Sequence, residues 1–150
     1  MSLRYRSCGR VHKDFHRLVC ATLHYLADLY GKEAAEEVVA RTAKEVFKSM
    51  HESLAEGDFT ELREYWEIHL SREGGDFAIE SMVDGLRLIV RDCPAQRRMV
   101  ELGESPDPIL CRATRIFNEV LADGTLFKSS TLVTGEFSCV QEFRARGRKE

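Results

Sequence analysis

The sequence predicts an α+β fold: N-terminal helices packed on an antiparallel sheet built from two hairpins, with two helices between the hairpins. Three observations carry that expectation. Apolar residues recur at three-and-four spacing through the first half, as in helices with one buried stripe. The pattern then becomes short alternating runs around Asp84-Gly85 and Thr134-Gly135, both of which are turn pairs. Helices come first and hairpins later, the order of an α+β chain and not of a doubly wound one.

The first helix is expected from about Lys13 to Tyr30. Phe15, Leu18, Val19, Thr22, Leu23, Leu26, Leu29 and Tyr30 form its stripe, and Gly31 stops it as a left-handed terminal residue. A second helix is expected from Lys32 to Leu54, broken by Gly57-Asp58. Thr60 is placed to cap a third, which carries Leu62, Tyr65, Trp66, His69 and Leu70 and ends at Gly74-Gly75. Phe77 to Met82 and Leu86 to Arg91 read as the first hairpin, with Ile89 implying partial cover of the second face. A short helix, Ala95 to Leu102, follows the Asp92-Cys93-Pro94 corner. Asp107 then caps a longer helix that has Pro108 at its first position and runs to about Ala122. Its buried stripe centres between Ala113 and Phe117. Leu126 to Val133 and Glu136 to Arg144 read as the second hairpin.

The chain has 150 residues, a length for a single domain over 1–150, with charged ends at 1–10 and 145–150 that are expected to fray. Hydrophobic residues are 43% and charged residues 31%, ordinary globular usage. A net charge of −3 argues against nucleic acid or an anionic membrane as principal partner, since each calls for a basic footprint. No run approaches the ~20 apolar residues of a membrane span. The basic N-terminus leads into no apolar signal segment, so a cytoplasmic home is expected. The five cysteines, Cys8, Cys20, Cys93, Cys111 and Cys139, are then expected as reduced thiols and not as a disulfide framework. The amphipathic helices offer faces through which a homodimer could form.

Cys8, His12, His16, Cys20 and His24 recur every four residues, one turn apart on a helix. His12 and His16 have the spacing by which two imidazoles hold one metal, with zinc or iron suiting a thiol and imidazole set. Alternatively His16 is a boundary histidine or a pocket acid/base, and His24 simply points to solvent. Cys93 precedes a helix, where backbone N–H groups favour thiolate, which makes it the best nucleophile candidate; a buried corner cysteine is the other reading. Cys111, Thr114 and Asn118 share one side of their helix, opposite the expected stripe. They form either a solvated face or the wall of a polar pocket. Cys139 is expected to point inward from the last strand, and Trp66 to pack or to border a ligand pocket. Glu33, Glu36, Glu37 and Glu45 read as solvated faces. No phosphate-binding glycine loop, HExxH, CxxC or GxSxG is present, so no nucleotide cofactor is expected.

Cys93-Pro94, Leu102-Gly103, Cys111 opening a helix, and Gly135 with Cys139 on a final strand occur in an order that resembles the L-2-amino-thiazoline-4-carboxylic acid hydrolase-like family. Asp14-Phe15-His16, Tyr30-Gly31 with Glu33, the Trp66 helix ending in Glu73-Gly74-Gly75, Thr114, Asn118, Gly124-Thr125, and Gln141 before Phe143 extend the resemblance from Asp14 to Phe143. Where related sequences carry a His just before the Cys-Pro pair, this chain has Arg91-Asp92. The resemblance implies an α+β fold similar to 4-vinyl reductase-type ligand-binding domains, and hydrolytic opening of a thiazoline ring. On that reading Cys93 is the nucleophile and His16 the acid/base. Cys111, Thr114, Asn118, Cys139 and Trp66 contact a small substrate, and Cys93, Cys111, Cys139, His12 and His16 supply ligands if a metal is bound. The alternative is a non-catalytic domain that senses a small ligand, a metal or the redox state.

Overall fold

A computed structural model of the chain describes residues 15–147; His12, Cys8 and Asp14 lie outside the described residues. Its elements are α1 (Phe15–Tyr30), α2 (Lys32–Val46), α3 (Lys48–Ala55), α4 (Thr60–Arg72), β1 (Asp76–Met82), β2 (Gly85–Asp92), α5 (Pro94–Glu101), α6 (Pro108–Ala122), β3 (Phe127–Gly135) and β4 (Ser138–Ala145). This is the expected α+β arrangement. None of the described helices is long and apolar enough to cross a membrane.

Gly31, at φ +90°, separates α1 from α2 in the backbone region that a side chain would penalise. The expected single helix over Lys32–Leu54 is instead two, divided at Phe47. Neither Gly nor Pro breaks it; the Phe47 ring is held edge-on by Tyr65 and Phe117, with centroids 5.5 and 4.7 Å away. A tertiary aromatic cluster thus overrides a continuous helical pattern. Thr60 does not cap α4. The Asp58 carboxylate does, accepting from the Thr60 amide at 2.8 Å and its hydroxyl at 2.7 Å. Asp107 caps α6 as the sequence predicts, its Oδ1 accepting from the Ile109 amide at 2.9 Å, with Pro108 at the first helical position.

Helix α1 keeps Val19, Leu23 and Leu26 of its expected stripe turned inward but is rotated partway, toward Cys20. Cys20 and Leu23 are buried and His16 is half-buried, whereas Phe15, Leu18, Tyr25, Leu29 and Tyr30 are exposed, Leu18 to 65%. Both sides of this helix are apolar, and the narrower one, which carries Cys20, packs inward.

The sheet is antiparallel in the order β1-β2-β4-β3. Pairing registers align three rows on the helix-covered face: Ser81, Leu86, Phe143 and Ser129; Ile79, Leu88, Gln141 and Thr131; Phe77, Val90, Cys139 and Val133. Leu86, Leu88, Val90 and Phe143 are buried there and join Met50, Leu54, Leu62, Trp66, Leu121 and Phe127 in the main core. On the other face Ile89 is half-buried between Ala78 and Val140, so its cover comes from cross-strand neighbours. Helix α4 packs on β1, while α6 lies between β3 and α2. The second hairpin turns at Glu136-Phe137, two residues beyond the expected Thr134-Gly135. An irregularity between Val133 and Gly135 inserts the extra residue and lets Gly135 pair with Ser138.

At the first hairpin the loop is Val83-Asp84, and Gly85 is not at positive φ. Glycine is needed there for another reason: a Cβ on Gly85 would lie 1.8 Å from the Phe143 carbonyl oxygen on β4. Gly124, by contrast, is at φ +71° with nothing within 4 Å of a built Cβ. Gly85→Ala is therefore expected to cost about 3 kcal/mol or more, by forcing β2 and β4 apart. Gly124→Ala should cost about 1 kcal/mol, the left-handed backbone penalty alone. Urea unfolding of the two variants checks the ordering.

Candidate functional site

Three thiols from distant parts of the chain meet at one end of the sheet's inner face. Cys93 sits at the corner between β2 and α5, Cys111 on the first turn of α6, and Cys139 on β4, each half-buried and unbridged. They lie within electrostatic reach: Cys111 acts on Cys93, and both act on Cys139. The corner is held by the Cys93 amide, which donates to the Phe137 carbonyl at 2.8 Å and ties it to the β3–β4 turn.

A chain of buried amides backs the thiols. Asn118, only 1% exposed, donates to Gln141 Oε1 at 2.8 Å and to Thr131 Oγ1 at 3.1 Å. Gln141 Nε2 reaches Cys139 Sγ at 3.6 Å. On the other side Gln96 Nε2 lies 3.3 Å from Cys111 Sγ. The polar side of α6 is thus no solvated face: the sheet roofs it, and the helix is covered on both flanks. Thr114 spends its hydroxyl on the Leu110 carbonyl of its own helix, at 3.1 Å. Trp66 is buried in the core against Phe143, 6.0 Å between ring centroids.

The helix N-terminus at Cys93 does not yield a thiolate. Burial raises its pKa, the Gln96 and Ala95 amides lower it without closing a cap hydrogen bond, and Cys111 and Glu73 raise it again; the net direction is upward. Cys139 is pushed up to about 11, mainly by burial, against a smaller opposing effect of the Gln141 amide. The expectation of an activated thiolate at the Cys93-Pro94 corner fails because desolvation outweighs the helix amides.

His16 Nε2 pairs with Glu73 Oε2 at 2.8 Å. Glu73, at the end of α4, lies close enough to Cys93 for its charge to raise that thiol. Arg97 fixes this end of α4, with Nη2 donating to the Glu73 and Gly74 carbonyls at 3.3 and 3.1 Å while Nη1 pairs with Asp92. Sequence reasoning singled out His16 and Cys93 but not the carboxylate between them. Glu73 was visible only as part of a helix-ending Glu-Gly-Gly.

The three cysteines do not close into a chelating set, and His12 lies outside the described residues. Among the described residues, the trio whose donor atoms all lie within 4.8 Å of one another is Cys20, His24 and Asp107. Two clefts lie elsewhere. One of about 240 Å³ is lined by Ala43, Lys44, His51, Val120, Leu121 and Asp123. The other, about 390 Å³, lies beside the first hairpin, between Phe59, Arg63, Val83 and Phe127.

No protein-family model matches the chain, and neither does any curated protein or solved structure. The site has to be read from its own geometry.

Two measurements follow from that geometry. Cys93 is expected to react with iodoacetamide at pH 7.5 several-fold more slowly than a free cysteine, whose pKa is about 8.5, and its rate should still be rising above pH 9. Peptide mass spectrometry of timed alkylation reads this directly, and a rate plateau below pH 8 would contradict it.

The second concerns Asp107. Burial opposes its charge, but hydrogen bonds from Cys20, the Ile109 amide and His24, with the proximity of His24, hold the carboxyl below its ordinary value. A carboxyl with a depressed folded pKa contributes stability above the unfolded value of about 3.9 and loses it as pH falls through the folded one. Asp107→Ala should therefore cost about 1–2 kcal/mol at pH 7, and the deficit should shrink below about pH 4. Urea unfolding at both pH values gives the comparison; an equal deficit at the two would show that the charge contributes nothing.

Proposed function

We propose that this chain is a small-molecule-binding domain whose receptor is the thiol group Cys93, Cys111 and Cys139, with the Gln141 amide as its polar contact. The observation that carries the reading is three half-buried thiols within electrostatic reach of one another, two of which touch buried amides, Cys111 at Gln96 and Cys139 at Gln141. A site of this kind offers soft sulfur contacts and a fixed hydrogen-bond donor to a polar, polarisable ligand. Asn118 holds Gln141 in place instead of meeting the ligand itself, and Trp66 supports the sheet beneath. The family resemblance supplies the ligand class, a cyclic amino-acid derivative such as a thiazoline carboxylate.

A second reading, hydrolysis of that ligand, is favoured by one specific feature, the His16–Glu73 pair, whose carboxylate lies within electrostatic reach of Cys93. In this reading the Cys93 proton passes to that pair, and Sγ bonds to the ring carbon between nitrogen and sulfur. A ring C–N or C–S bond breaks, and the leaving heteroatom takes the proton back. Water then displaces Sγ and frees the enzyme. The raised Cys93 pKa makes the proton transfer the difficult step, so catalysis would depend on the ligand bringing thiol and pair together.

The deciding experiment is an NMR time course of anaerobically purified protein with L-2-amino-thiazoline-4-carboxylate, run beside Cys93→Ser. Line broadening of the ligand without consumption, reduced at least tenfold in the variant, is the expected result for a binding domain. Ring opening by wild type alone would replace it with the hydrolase reading. Neither broadening nor turnover would remove this ligand class and the reading with it.

A further inference from the structure

We propose that Cys20, His24 and Asp107 form a zinc site, separate from the thiol group above, in which the ion joins α1 to the start of α6. Cys20 and His24 stand one turn apart on α1 and face the Asp107 carboxylate. Cys20 Sγ lies 3.0 Å from Asp107 Oδ2, and His24 Nε2 lies 2.6 Å from the same oxygen. One sulfur, one imidazole nitrogen and one carboxylate oxygen are a donor set suited to zinc, and three protein ligands leave a fourth position open.

The order of the contacts excludes the obvious rival. In a cysteine nucleophile the imidazole sits between thiol and carboxylate and takes the thiol proton. Here the carboxylate sits in the middle. The thiol donates to the Asp107 carboxylate and not to the imidazole, so this is no activated cysteine.

Asp107 is also set for the task. Its Oδ1 is occupied by the Ile109 amide, its own amide donates to Gln96 Oε1 at 2.7 Å, and its carbonyl accepts from Gln96 Nε2 at 2.8 Å. Gln96 is itself 3% exposed. Oδ2 is therefore aimed by a fixed backbone, as outer-shell groups aim metal ligands. Cys20, Met99 and Leu110 form a small apolar cluster behind the site, while His24 is half exposed in front of it and leaves access for the ion. Donor atoms around tetrahedral zinc stand about 3.3–3.7 Å apart, given zinc–ligand distances of about 2.0–2.3 Å. The His24–Asp107 separation of 2.6 Å has to open by about 0.7 Å, within reach of the exposed His24 side chain, and the Cys20–Asp107 separation of 3.0 Å by about 0.5 Å. On binding, the Cys20 sulfur gives its proton to solvent and its lone pair to the ion. His24 coordinates through Nε2 and carries its proton on Nδ1.

The test uses the full chain, stripped of metal by chelator. Zn²⁺ is titrated in competition with a chromophoric chelator, and Co²⁺ is used to record thiolate-to-metal and tetrahedral absorption. One equivalent should bind to wild type and to Cys93→Ser, with the thiolate band in both. Cys20→Ala and Asp107→Asn should weaken binding at least 100-fold. His24→Ala, at a half-exposed position that leaves the core untouched, should weaken it at least tenfold while the circular dichroism spectrum is unchanged. No binding by wild type, undiminished binding by His24→Ala, or loss of the ion in Cys93→Ser would each overturn the assignment.

Discussion

The pairing of β2 with β4 is the constraint on which the rest depends. These central strands are separated in sequence by α5, α6 and β3, yet they lie so close that Gly85 leaves no room for a methyl group against the Phe143 carbonyl. That contact sets the register, and the register decides every row of the inner face. Leu86 opposite Phe143 builds the hydrophobic end under Trp66. Leu88 opposite Gln141 places a polar group in mid-sheet, where Asn118 from α6 donates to its oxygen. Val90 opposite Cys139 brings the last strand's thiol beside the Cys93 corner. A slip of one residue would turn Phe143 and Gln141 to the open face and disperse the thiols together with the core.

The same geometry explains why the interior carries polar chemistry at all. A buried amide with no partner costs about 1–3 kcal/mol, so Asn118 and Gln141 are tolerable only as a pair. Together they specify how α6 sits on the sheet more sharply than leucines would, since apolar contacts slide and hydrogen bonds do not. Gln96 plays the equivalent part at the other end. It spends its amide on the Asp107 backbone and on Cys111, and so fixes the loop before α6 and the first turn of α6 with one side chain.

Much of this was legible in the sequence, and what was not shares a cause. The helical first half, the two hairpins and the Asp107-Pro108 helix start were readable because caps, turns and periodicity are local signals. Helix α1 misled because two of its faces are apolar. Of the expected stripe Leu23 is buried and Val19 and Leu26 are half-buried, while Phe15, Leu18, Leu29 and Tyr30 stay exposed and Cys20 packs inward instead. The break at Phe47 has no local signal, being made by Tyr65 and Phe117 from other helices. Asn118 falls opposite the stripe on the helical projection, which leaves a solvated face and a roofed polar wall equally open, and nothing nearby announces Gln141. For the site, the cysteines and His16 could be named from residue type. Glu73 and Gln96 could not, for their roles exist only after α4 and α5 converge on the corner.

The behaviour of Cys93 shows how the fold overrules a motif. A cysteine before a helix N-terminus is often read as activated, because the helix amides favour negative charge. That argument treats the amides alone. Here the same packing that brings Cys93 to Cys111, Cys139 and Glu73 removes water from it, and Glu73 and Cys111 add repulsion where the motif supposes only attraction. The amides act in the expected direction and lose. Asp107 shows the reverse balance: burial again opposes the charge, but three hydrogen-bond donors outweigh it, and the carboxylate stays ionised at its helix start. The two groups differ less in position on the helix than in what faces them. Whether a charged form survives in this interior is decided by the balance of donors against burial: the donors around Asp107 outweigh it, and the two helix amides at Cys93 do not.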